Sequence, residues 1–71
     1  MLVDMSTSTW TVDGMTCGHC VASVTEEISE IPGVESVDVT LEDGTVVVTS
    51  ATELDRAQVE AAVVEAGYRL R

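Results

Sequence analysis

The order in which hydrophobic periodicity changes along these 71 residues limits the fold more than any other property. The stretch "STWTVDG" alternates. Trp10 and Val12 fall on one side and Thr9, Thr11 and Asp13 on the other, as in a strand with one buried face. Gly14 then interrupts it. From about Gly18 to Ile31 the apolar spacing is helical, with Val21, Val24, Ile28 and Ile31 on one face and Glu26, Glu27 and Glu30 on the wet side. Pro32-Gly33 closes this helix, because a proline pushes the residue before it out of the helical region. "VESVDVTL" and "TVVVTS" alternate again around Asp43-Gly44, a dipeptide that favours a two-residue hairpin turn. With that loop, Glu42 faces Thr45, Leu41 faces Val46 and Val39 faces Val48. Val37, Val39 and Leu41 then share the apolar side, while Thr40, Thr45, Val47 and Thr49 take the other. "LDRAQVEAAVVEAG" is a second helix. Asp55 and Gln58 are spaced as a capping box, Val59, Ala62, Val63 and Ala66 form the buried face, and Gly67 is the stop. "YRLR" is left for a short last strand.

The order β-α-β-β-α-β predicts an α+β two-layer sandwich, a four-stranded antiparallel sheet with both helices on one face. Residues 1–7 read as an N-terminal extension and 8–71 as one domain, since the length leaves no room for a second. An opening Met1 and an end just past the last strand suit a free-standing protein. Thirteen acidic residues against Arg56, Arg69 and Arg71, with no lysine, give a net charge of −10. Nucleic-acid affinity rests on Lys and Arg neutralising phosphates, so a nucleic-acid partner is excluded, and an anionic membrane surface with it. No segment approaches the roughly 20 apolar residues of a spanning helix, and "MLVDMSTSTW" lacks the basic start and apolar run of a secretion signal. The expected location is the cytoplasm, where thiols stay reduced unless they are catalytic.

Both cysteines and the single histidine lie in "GMTCGHC", Gly14 to Cys20. A CxxC pair can exchange electrons or hold a soft metal ion. CGHC is the tetrad of disulfide isomerases, but three features oppose a dithiol oxidoreductase. The chain is too short for a thioredoxin fold. Thr16 stands where those enzymes carry an aromatic, and Pro32, the only proline, ends the same helix instead of facing the loop. The metal reading has a physical basis. Cys17 falls at the loop–helix junction and Cys20 in the first turn, so spacing of three puts both sulfurs on one side of the helix start. A helix N-terminus favours the thiolate, the form that binds metal. Two thiolates select soft ions over Mg or Ca. A structural zinc site wants four closed positions and a second CxxC is missing, whereas an exposed two-thiolate clamp suits Cu(I) and permits its hand-over. On this reading the chain binds and does not turn over a substrate.

With those residues in view, the sequence resembles the heavy-metal-associated domain family, and within it the small bacterial copper chaperones. "GMTCGHC" is similar to the family's GMxCxxC loop, "EIPGVESVDVTLEDGTVVV" to its helix boundary and hairpin, and "VEAAVVEAGY" to its closing helix. The resemblance implies a ferredoxin-like fold, Cu(I) bound by Cys17 and Cys20, and delivery to a copper-transporting P-type ATPase. It implies Met15 packed beneath the loop, not serving as a third ligand, and Tyr68 beside the loop, shielding the thiolates. Thr16 and His19 complete the surroundings, His19 as a solvent-facing group that tunes the sulfurs by its charge. Hg(II), Zn(II) and Cd(II) remain alternative ions; zinc-type relatives usually carry an acidic residue where Thr16 stands. A monomer is expected, with a Cu-bridged homodimer open to two such clamps. Many family members carry lysines near the loop. Here there are none and Asp13 flanks it, so the positive docking surface is expected on the partner.

Overall fold

A computed structural model describes residues 5–71. Its elements are β1 (Ser6–Asp13), α1 (Gly18–Ser29), β2 (Val34–Thr40), β3 (Thr45–Ser50), α2 (Arg56–Glu65) and β4 (Arg69–Leu70). The strands form one antiparallel sheet in the order β2-β3-β1-β4, and the two helices cover one face of it in the expected ferredoxin-like sandwich. β1 starts at Ser6, two residues inside the segment read as an extension; residues 1–4 of that segment lie outside the described residues.

Alternation decides which side chains meet in the core. Val46 and Val48 project from the sheet and Val24, Ile28, Val59 and Val63 from the helices, all with no solvent exposure. Each such burial contributes about 1.5–3 kcal/mol. Trp10 is half-buried against this core and donates its indole N–H to Ser8 Oγ at 2.9 Å. Ser50 is the one buried polar residue among those described, and its hydroxyl is satisfied by the Thr52 carbonyl.

Two expectations need correction. The buried stripe of α1 is Cys20, Val24 and Ile28, with Val21 only half-buried, and the helix closes at Ser29 before Ile31. The hairpin is not a two-residue turn. Thr40 pairs with Thr45, Val39 with Val46 and Val37 with Val48, which leaves a four-residue loop, 41–44. Leu41 is 38% exposed there and does not join the apolar side. The reason lies in β1. Val12 N–H donates to Gly44 O at 2.9 Å, so Gly44 is drawn into the ladder beside β1 and the turn must open around it. Its φ of +75° and the approach of Val12 O, 2.4 Å from where a Cβ would stand, both require glycine. The same hydrogen bond puts the hairpin loop at the end of the sheet where β1 runs out toward Cys17.

Candidate metal centre

β1 ends at Asp13, and Gly14, at φ +99°, turns the chain away from the sheet. Met15 is half-buried against the core and pins the loop from below. Thr16 is exposed. Cys17 is the N-cap of α1, and its carbonyl accepts from Cys20 N–H at 3.0 Å and Val21 N–H at 3.3 Å, which closes the first turn. Spacing of three then stacks the sulfurs, and Cys17 Sγ lies 3.4 Å from Cys20 Sγ with no disulfide between them. Thiolate–metal bonds are about 2.3 Å for zinc, so one ion can touch both sulfurs without backbone movement.

The clamp is not uniformly exposed, as the sequence reading had it. Cys17 faces solvent, but Cys20 retains only 7% of its exposure, because it begins the buried stripe of α1. Burial alone would raise its pKa. Hydrogen bonding from the Thr16 backbone, then from the Tyr68 hydroxyl and from Cys17, outweighs that and lowers it from 9.0 to about 6. These surroundings therefore favour the thiolate form of Cys20 over that of an unperturbed cysteine. Thr16 Oγ1 stands 3.9 Å from the same sulfur.

Tyr68 reaches the loop from the far end of the chain. Its N–H donates to Val63 O at 3.0 Å as α2 gives way to β4. Its ring lies against Gly14, with Cδ1 3.4 Å from where a Gly14 Cβ would stand. Hydrogen bonding to Cys20 raises the pKa of the Tyr68 phenol, so the phenol keeps its proton for the sulfur. His19, between the cysteines, is exposed. Among the described residues no group of three His, Cys, Asp or Glu side chains gathers to hold an ion, so the two sulfurs stand as a pair.

Sequence reasoning missed a second feature at this end. Arg71 pairs with Asp13, Nη2 to Oδ1 at 2.5 Å and Nε to Oδ2 at 3.4 Å. Its N–H donates to Thr11 O at 2.8 Å, and its carbonyl accepts from Arg56 Nη2 at 3.1 Å. The carboxylate that flanks the loop is thus already neutralised. The signal was present in "YRLR": once that segment is a strand beside β1, alternate residues fall on the same face as Asp13.

Among the described residues no helix is long and apolar enough to cross a membrane. A model of the heavy-metal-associated domain matches residues 9–69. Copper chaperone CopZ of Staphylococcus aureus is 38% identical over 65 residues, covering 90% of this chain and 96% of that one. Copper-transporting ATPase 1 of Rhizobium meliloti is 44% identical over 62 residues, 84% of this chain, but the match spans only 7% of the ATPase. A solved CopZ metallochaperone superposes with a TM-score of 0.85 at 36% identity, over 93% of this chain and all of that one.

Proposed function

The chain belongs to the heavy-metal-associated domain family, and from that premise we propose that it is a cytoplasmic Cu(I) carrier. Cys17 and Cys20 take one ion, and ligand exchange passes it to a copper-transporting P-type ATPase. The observation that carries this reading is the sulfur pair, 3.4 Å apart at a helix start, in surroundings that lower the pKa of Cys20. Two soft sulfur donors, with no third His, Cys, Asp or Glu side chain gathered beside them among the described residues, favour an ion content with few, soft ligands.

The unequal burial of the sulfurs suggests the course of hand-over. Cys20 is anchored in the α1 stripe and supported by Tyr68, while Cys17 is open to solvent. An incoming thiolate bonds to Cu(I) from the Cys17 side. The bond to Cys17 breaks, a second thiolate of the partner bonds in its place, and the bond to Cys20 then breaks, with copper remaining Cu(I) throughout. Met15 holds the loop from below and Thr16 lends its backbone to Cys20; His19 modulates the sulfurs from the solvent side. Likeness to part of a copper-transporting ATPase supports a partner with a similar domain.

Titration of the reduced protein against a Cu(I) chelator tests the reading, with Zn(II) as competitor. One Cu(I) per chain is expected, lost in Cys17→Ser and in Cys20→Ser. Tighter binding of Zn(II) than of Cu(I) would overturn the choice of ion.

A further inference from the structure

Tyr68 acts on Cys20 from a segment with little to hold it. It stands between Gly67, where α2 has ended, and β4. Nothing lies within 4 Å of the place a Gly67 Cβ would take, and Asp13, Gly14, Gly67, Tyr68 and Arg69 line an open groove of about 410 Å³. A ring bordering that space has room to swing off the loop, so its backbone must fix it. On one side Tyr68 N–H donates to Val63 O at 3.0 Å. On the other, β4 pairs with β1 through Val12 with Leu70 and Asp13 with Arg69 alone. Strands of about five or six residues are usual, so this ladder is short. Arg71 extends it. Its N–H donates to Thr11 O at 2.8 Å, its Nη2 and Nε reach the two oxygens of Asp13 at 2.5 and 3.4 Å, and its carbonyl accepts from Arg56 at the start of α2. Alternation puts Arg69 and Arg71 on the open face of the sheet with Asp13. Tyr68 and Leu70 fall on the helix side, toward the sulfurs.

We infer that the Asp13–Arg71 pair is a clasp that positions Tyr68 for Cys20. The clasp grips the residue immediately before Gly14, and the Tyr68 ring rests on Gly14 itself, with Cδ1 3.4 Å from where a Cβ would stand. One contact on the open face thus fixes β4 against the segment that leads into the loop. Tyr68, one residue ahead of β4, is thereby held over Cys20 on the other face. A bidentate guanidinium–carboxylate pair suits this task because it fixes direction as well as distance. Asp13 and Arg71 act through Tyr68 and are positioning residues. The inference rests on the Cu(I) reading, in which Cys20 is the last sulfur to release the ion, and it says what steadies that sulfur's support.

The direction of two effects separates positioning from charge alone. Asp13→Ala removes a negative charge beside the loop, and Arg71→Ala removes a positive one. A field effect would change the rate of Cu(I) transfer to bathocuproine disulfonate in opposite directions. A clasp predicts the same direction, a rise of about fivefold in each, near the upper limit for an exposed pair. Arg71→Lys should recover part of the loss, because it keeps the charge but not the fork. Tyr68→Phe should also raise the rate, and adding Arg71→Ala to it should change little further, since both act through one hydroxyl. In the metal-free protein, the nuclear Overhauser contact between the Tyr68 ring and the Gly14 α-protons should weaken in both clasp variants. Opposite directions, additive effects in the double variant, or an undisturbed Tyr68–Gly14 contact would overturn the inference. Failure of the wild-type chain to bind Cu(I) would count against the metal reading instead, and the metal-free experiment would still judge the clasp.

Discussion

Cys20 is both a core residue and a thiol with a lowered pKa, and its surroundings reconcile the two. Burial disfavours its charge, but hydrogen bonds from Thr16, Tyr68 and Cys17 lower its pKa to about 6, against 9.0 when unperturbed. Between those values the unfolded chain holds the proton and the folded chain does not, so stability rises with pH from about 6 to about 9 and the gain is lost as pH falls through about 6. The melting temperature of the reduced, metal-free protein is expected to climb across this window, and Cys20→Ser to flatten the climb. Tyr68→Phe removes one donor and leaves the Thr16 backbone in place. The midpoint of thiolate absorbance in the ultraviolet should then move up from about 6 without reaching 9.0. A fixed midpoint would show that the phenol does not act on the sulfur. At this scale the sequence disclosed the sulfur pair through spacing alone. It did not disclose that one sulfur is buried, because that depends on where α1 lies against Val46 and Val48.

The β2–β3 hairpin shows what local pattern can and cannot specify. Sliding β2 by two residues keeps every side chain on its own face, so an alternating pattern fits both registers equally. A contact distant in sequence, Val12 N–H to Gly44 O, selects the one that forms. The capping box of α2 was legible because both partners are local: Asp55 N–H donates to Gln58 Oε1 at 3.1 Å, three residues on. Gly44→Ala tests the hairpin account. Left-handed backbone in a residue with a side chain costs about 1–3 kcal/mol, and the clash with Val12 O adds to it. Denaturant unfolding should show at least that loss, whereas a change within experimental error would mean the loop tolerates a second conformation.

Across the whole molecule, a small valine-rich core must hold together a surface that repels itself. Ile28 has no exposure, and Ile28→Ala is expected to cost about 2–5 kcal/mol. Domains of this kind have about 5–15 kcal/mol in all, so the variant should lose a large share of its stability and melt at a clearly lower temperature, as circular dichroism would report. The acids oppose folding in a defined way. Burial, and then Glu30, Glu65 and Glu26, raise the pKa of Glu27 above 4.5. A raised carboxyl stabilises the fold below its unfolded value, and that contribution is lost as pH rises through the folded one. Glu27→Gln should therefore raise the melting temperature at neutral pH, and less so in high salt. The layered fold was readable from the order of periodicities. The gathering of acids from both helices was not, because it depends on how α1 and α2 pack together.

The central claim is that Cys17 and Cys20 together hold Cu(I), and X-ray absorption at the copper edge of the loaded protein tests it most directly. Only sulfur neighbours around a Cu(I) ion are predicted, with the signal absent from a protein carrying both Cys17→Ser and Cys20→Ser. Nitrogen or oxygen neighbours in the wild-type protein, or the same copper environment in the thiol-free variant, would contradict it.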